Sequence, residues 1–213
     1  MKPRLATLID LLHRCPDGAL ATHSVAMPGY PFATALPFAT DQQHRPLFLI
    51  SRLAEHTQNL AANPRASLLV RMPLADGEVA RATLVGVVQP VEIEPLLVDR
   101  YLRYQPEAER FLQLGDFRFF RMDTAQARII GGFAQAAWLD GERIGVTPRL
   151  TLADEQAALD ALQAPDDVTL LGMDSLGLDI LAGDERRRLG FGDQPLSAPD
   201  AVRTAQSLLD SMD

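Results

Sequence analysis

An α+β fold built on an antiparallel, closed or split β-barrel is predicted by three features of this 213-residue chain. Short apolar strands outnumber helices, they follow one another at close spacing, and a single helix interrupts them in mid-sheet. A parallel α/β sheet would instead alternate strands with long helices.

Leu5, Leu8, Ile9 and Leu12 follow the i, i+3, i+4, i+7 spacing of an amphipathic helix, so a helix opens the chain. Asp10, His13 and Arg14 interrupt that segment too often for a cleaved leader. Pro16-Asp17-Gly18 is a turn signal ahead of a strand over 19–24. A second strand over 30–40 carries Pro31 and Pro37, which place it at an edge or a bulge. The polar stretch 41–46 reads as a hairpin loop into the apolar strand 47–51. A helix then runs to Asn63-Pro64, and strands over 66–72 and 80–93 are joined by a loop holding Asp76-Gly77. Pro95 and Pro106 each start a short helix at the early position where proline is favoured. Residues 116–130 are strand-rich, with Phe117, Phe119 and Met122 spaced for one wall of a sheet, an irregularity near Asp123, and Gly131-Gly132 as the stop.

Pro148, within 145–152, marks a linker. Beyond it the pattern predicts a helix over 153–164, strands over 168–173, 178–181 and 187–191, and a closing helix over 198–212. The chain therefore divides into a barrel unit, 1–145, and a small acidic α/β unit, 146–213. The second is expected to fold separately and to leave the principal ligand contacts to the first.

With 47% apolar and 23% charged residues the chain can bury a full core, and no apolar run approaches the ~20 residues of a membrane span. The net charge of −8 is uneven: residues 1–145 hold 15 acidic and 15 basic side chains, and 146–213 hold 13 and 5. No basic segment exists to replace phosphate counterions, which argues against a nucleic-acid partner. Cys15 is the only cysteine, so intramolecular disulfides and thiolate clusters are excluded and a cytoplasmic location is expected.

The stretch 50–70 concentrates the chemistry. At 100° per residue, Arg52, His56, Asn59 and Asn63 fall on one helix face, with Leu53, Thr57, Leu60 and Ala61 on an opposite, buried stripe. Ser51 stands where an N-cap belongs. A strand-to-helix junction bearing an Arg and a His can hold a phosphate or a carboxylate; a solvated helix face is the plainer reading. Phosphate-loop, nucleophile-elbow and His-Glu-x-x-His signatures are absent from the sequence. No two of His13, His23, His44 and His56 have i, i+4 spacing, so no metal site is expected.

Seven motifs occur in an order that resembles the pyridoxamine 5′-phosphate oxidase-like split barrels. They are Gly18-Ala-Leu-Ala-Thr22, Tyr30-Pro-Phe-Ala-Thr34, Ser51-Arg-Leu-Ala-Glu-His-Thr-Gln-Asn-Leu60, Asn63-Pro64, Arg81-Ala-Thr-Leu-Val-Gly86, Gly115-Asp-Phe117 and Gly131-Gly-Phe133. The Leu-Ala-x-His-Thr-x-Asn-Leu stretch with the later Gly-Asp-Phe and Gly-Gly-Phe is most similar to the haem-utilisation (HugZ-like) branch. Residues 150–213, through Met173-Asp-Ser-Leu-Gly-Leu178 and Arg188-Leu-Gly-Phe191, resemble the small α/β domain appended there.

The resemblance implies a six-stranded FMN-binding split barrel forming a homodimer, with clefts at the subunit interface for a small-molecule ligand. FMN, with flavin-dependent oxidoreductase activity, is the first cofactor expected. Haem, with haem-binding or haem oxygenase-like activity, is the alternative, and a cofactor-free interaction dimer is the third. The cofactor-binding candidates are Ser51, Arg52, His56, Thr57 and Asn59, joined by Arg81, Phe133 and Trp138 from the flanking motifs. Glu55-His56 replaces an Arg-Lys pair of the flavin oxidases, which lowers the expected phosphate affinity. Ala82 stands where they often carry glutamine, and no histidine follows His56.

Overall fold

The computed structural model describes residues 5–74, 77–131, 136–145, 150–192 and 194–212. Helix α1 (Leu5–Arg14) leads into β1 (Asp17–His23), β2 (Pro31–Pro37), β3 (Ala39–Thr40) and β4 (Pro46–Ser51). Helix α2 (Glu55–Ala62) separates these from β5 (Arg65–Pro73) and β6 (Val79–Pro90). Helix α3 (Pro95–Tyr104), a 3-10 turn (Pro106–Ala108) and the short α4 (Glu109–Leu112) precede β7 (Phe117–Ile130), β8 (Ala136–Asp140) and α5 (Gly141–Gly145). The C-terminal unit is α6 (Leu152–Ala161), β9 (Val168–Met173), β10 (Gly177–Ala182), β11 (Glu185–Gly190) and α7 (Ala198–Asp210).

The first eight strands form one antiparallel sheet in the order β2-β1-β5-β6-β7-β4-β3, with β8 also pairing β7. The six strands implied by the resemblance are thus extended by the two-residue β3 and by β8. Strand β2, with proline at both ends, takes an edge because proline cannot donate to a ladder on both sides. The pleat sends alternate residues inward: Leu68 and Val70 of β5, Ala82 and Leu84 of β6, and Met122, Ala127 and Ile129 of β7 pack with Leu20 and Phe48. Leu8, Leu11 and Leu12 of α1 join that core, which is why the helix shows a narrow apolar stripe.

The irregularity expected near Asp123 is a bulge. Gln126 faces Val85 and Thr124 faces Gly86, so Ala125 lies unpaired between them. Gly86 is required there, since a Cβ would overlap the Asp123 carbonyl oxygen.

In the C-terminal unit, β11-β10-β9 form a three-stranded antiparallel sheet covered by α6 and α7. Thr151 caps α6 through a reciprocal capping box with Asp154. A third apolar cluster joins Leu47, Leu49, Leu97, Tyr101 and Tyr104 of the barrel side to Leu152 and Leu171 of the C-terminal side. The two units share a core, so the C-terminal unit is packed onto the barrel through apolar contacts. The proposed linker around Pro148 falls outside the described residues.

Candidate functional site

Helix α2 begins later than its sequence suggests. Its N-cap is Ala54, in an extended conformation and with no side-chain cap, and Ser51 lies in the turn before it. Residues 51–54 therefore do not share the helical phase, and the predicted faces shift. Leu53, expected inside, is 76% exposed. Asn59, expected outside, is fully buried, because its amide is the tie between the helix and β1: Nδ2 donates to Thr22 Oγ1 at 3.0 Å and Oδ1 accepts from Val25 N at 2.8 Å.

The other candidates in this segment divide by role. Ser51 Oγ donates to Asp116 Oδ2 at 2.5 Å and accepts from Leu53 N, which fastens the turn to the start of β7. Thr57 Oγ1 donates to the Ser51 carbonyl at 2.7 Å. Ser51, Thr57 and Asn59 thus hold the junction in shape. Arg52 is exposed, with its guanidinium 3.4 Å from the Gly115 carbonyl. His56 is half-buried and its Nε2 is buried with no hydrogen-bond partner. Burial lowers its pKa from the ordinary 6.5, so the ring is neutral at pH 7.

Beside α2 lies the loop over 24–30, closed by Ser24 N→Tyr30 O and pinned to the helix at Val25. Val25, Met27 and Tyr30 are all exposed there, as is Leu53. Exposed large apolar side chains on and beside α2 make a surface suited to being covered.

Arg81 and Trp138 belong to a second patch, the outer face of β5, β6, β7 and β8. Arg81 sits directly across from Arg71, a like-charged pair that an anion would relieve. Trp138 is 57% exposed under the Arg128 guanidinium, 5.5 Å from its ring centre, and Leu69 and Val85 are exposed on the same face. Phe133 lies outside the described residues.

A further constellation escaped the sequence reading. His13 of α1, His44 of the loop before β4, Arg100 and Tyr104 of α3, and Glu155, Asp174, Asp179 and Arg188 of the C-terminal unit form one buried polar network. Arg188 donates to both oxygens of Asp174, at 2.7 and 2.8 Å, and to Asp179 Oδ1 at 2.7 Å. Arg100 pairs with Glu155, and Tyr104 donates its hydroxyl to Asp179 Oδ2 at 2.5 Å. Burial alone would raise both aspartyl pKa values, but the Arg188 charge outweighs it and holds both below the ordinary carboxylate value. The partners of His13 lie 31 and 166 residues away, so no local spacing marks them.

Among the described residues no helix is long and apolar enough to cross a membrane. A family model described as "CREG, beta-barrel" matches residues 9–143. The non-canonical heme oxygenase HOZ, chloroplastic, of Arabidopsis thaliana is 35% identical over 127 residues, which are 59% of this chain but only 39% of that protein. The heme oxygenase HutZ of Vibrio cholerae is 28% identical over 123 residues, 54% of this chain and 69% of that protein. Among solved structures, the protein Atu2129 of Agrobacterium tumefaciens, of unknown function, aligns over 98% of both chains with a TM-score of 0.75 and 22% identity. That likeness is one of fold, and it includes the C-terminal unit.

Proposed function

Because this chain belongs to the CREG β-barrel family, we propose that it binds haem, as a homodimer, on the surface beside α2. The observation that carries this reading is His56 Nε2, a buried, unpartnered and neutral imidazole nitrogen on α2, the helix that follows exposed Leu53 and to which the 24–30 loop is pinned at Val25. A planar, largely apolar macrocycle suits such a surface, and a neutral imidazole suits its iron. The relatives HOZ and HutZ, both heme oxygenases, support the same ligand class. When bound, haem would supply one-electron and O2 chemistry, and the protein would supply binding, orientation and exclusion of water.

FMN fits less well. A phosphate at the strand–helix junction would meet Glu55 in the first turn of α2 and Asp116 on Ser51, beside the exposed Arg52. The carboxylate side chains of a haem are free to reach elsewhere, and the Arg71–Arg81 pair offers them a counter-charge.

Dimerisation rests on the two patches. The α2 surface, with Leu53, and the outer sheet face, with Leu69, Val85 and Trp138, both expose large apolar side chains among arginines. Association of two copies would bury them. Light scattering at micromolar concentration is expected to return twice the 23.3 kDa chain mass, and a monomer would remove this part of the proposal.

Titration of hemin against wild type and His56→Ala tests the site. The wild type is expected to shift the Soret band saturably at one equivalent per chain, and the variant to bind at least about tenfold more weakly, ~1.4 kcal/mol. Equal affinities would displace the ligand from α2. Since burial lowers the His56 pKa, its ring protonates only below the ordinary imidazole value of 6.5. Binding should therefore hold across neutral pH and fall on the acid side, lower than the window of about 5.5–7.5 for an unperturbed ring.

A further inference from the structure

We propose that His13, His44 and Asp174 form a binding site for a divalent cation of the zinc class, seated between the barrel and the C-terminal unit. Three donor atoms converge there, His13 Nε2, His44 Nδ1 and Asp174 Oδ2, on three buried residues. Their separations are 2.9 Å between the histidines and 3.9 Å from each histidine to the carboxylate. A triangle with those sides has a circumscribed radius of about 2.1 Å, the length of a Zn–N or Zn–O bond. One point in the plane of the donors therefore lies at bonding distance from all three, and tetrahedral coordination needs the two histidine nitrogens to part by about 0.4 Å. Two imidazoles and a carboxylate are a donor set that zinc accepts.

The surroundings are arranged as around a metal. The other ring nitrogen of His13, Nδ1, donates to Asp179 Oδ2 at 2.6 Å. A carboxylate accepts only, so it fixes the tautomer and turns the Nε2 lone pair towards His44. The 2.9 Å approach of the two imidazole nitrogens is bridged either by a proton, the N–H of one ring donating to the lone pair of the other, or by a metal ion in its place, with the Thr40 hydroxyl 3.2 Å from His13 Nε2. Buried Asp174, Asp179 and Glu155 are faced by Arg188, Arg100 and Arg103, with Arg186 acting on Asp179 from beside Tyr104, so the ion would be held by its three donors and not by an excess of carboxylate charge.

His44 itself has φ 58°, and among the described residues it is the only non-glycine with positive φ. That costly conformation aims its ring into the cluster. A cavity of about 10 Å3, lined by His44, Asp174, Met173, Glu155 and Arg100 among others, adjoins the site. It holds about one water, enough for a fourth ligand and too small for a substrate. The site is therefore structural. Its donors come from α1, from the loop before β4 and from the end of β9, so the ion would clamp the two units together.

The test uses the full chain, stripped with a chelator and dialysed against Zn2+, with bound metal counted by mass spectrometry and thermal unfolding recorded with and without zinc. One Zn2+ per chain and a zinc-dependent rise in Tm are expected. Co2+ in its place should give the intense visible bands of tetrahedral coordination. His44→Gln retains bulk and a polar group beside His13, and should lose at least tenfold in zinc affinity together with the Co2+ bands. Asp179→Asn, which leaves all three donors in place, should lose about 10–100-fold. Sub-stoichiometric zinc in the wild type would overturn the proposal, leaving a shared proton between the rings. A zinc-induced Tm rise unchanged in His44→Gln would also overturn it, by placing the metal elsewhere.

Discussion

Replacing Arg188 with methionine is expected to cost about 3–5 kcal/mol of folding stability, measured by chemical denaturation in the presence of a chelator. The guanidinium is the joint counter-charge of two buried aspartates, with three hydrogen bonds of 2.7–2.8 Å to them. Methionine fills similar volume, so the loss is not chiefly one of packing. It comes from leaving Asp174 and Asp179 buried without their cation, a desolvation cost that the remaining partners, His13 and Tyr104, do not offset. The double change Arg188→Met with Asp179→Asn should recover part of the loss, because it removes one of the stranded charges. A loss under about 1 kcal/mol for the single variant would show that the network is better solvated than its burial implies.

Ending the chain at residue 145 is expected to have a larger effect still. The barrel would keep Arg100, His13 and Tyr104 but lose Glu155 and Asp179, their buried partners. It would also uncover the part of the third apolar cluster that Leu152 and Leu171 close, including Tyr101 and Tyr104. Breaking one buried pair costs about 3–5 kcal/mol, and whole domains are stable by only about 5–15 kcal/mol, so two such losses suffice to unfold the remainder. Limited proteolysis and circular dichroism of the truncated chain should find it unfolded or aggregated. A soluble, cooperatively melting barrel would instead vindicate the independence expected from charge and linker composition.

Burial changes what the charge of the C-terminal unit means. The acidic surplus of 146–213 reads as a solvated, repelling surface, yet Glu155, Asp174 and Asp179 face inward against guanidiniums and a histidine. Composition records charge but not its direction. The barrel itself was legible because its signals are local: prolines that force β2 to the edge, alternation along β5 and β6, and the break near Asp123 that became the bulge opposite Gly86. Helix α2 was legible in existence but not in phase, since a three-residue turn, invisible to periodicity, separates Ser51 from Glu55. That shift sent Asn59 inward and Leu53 outward, and left Arg52 exposed and His56 half-buried. The histidine cluster was not legible at all. His13 and His44 meet only because α1 packs against the sheet near β3, and Asp174 and Asp179 arrive from beyond the barrel.

The central claim, haem rather than a flavin or no cofactor on the α2 surface, is tested most directly by one competition measurement. The purified full chain is incubated with equimolar hemin and FMN, passed over a desalting column, and its visible spectrum recorded. The account predicts a retained Soret band at one haem per chain, with the flavin absorbance washed through. Retained flavin at stoichiometric amount without a Soret band, or a colourless protein, would contradict it.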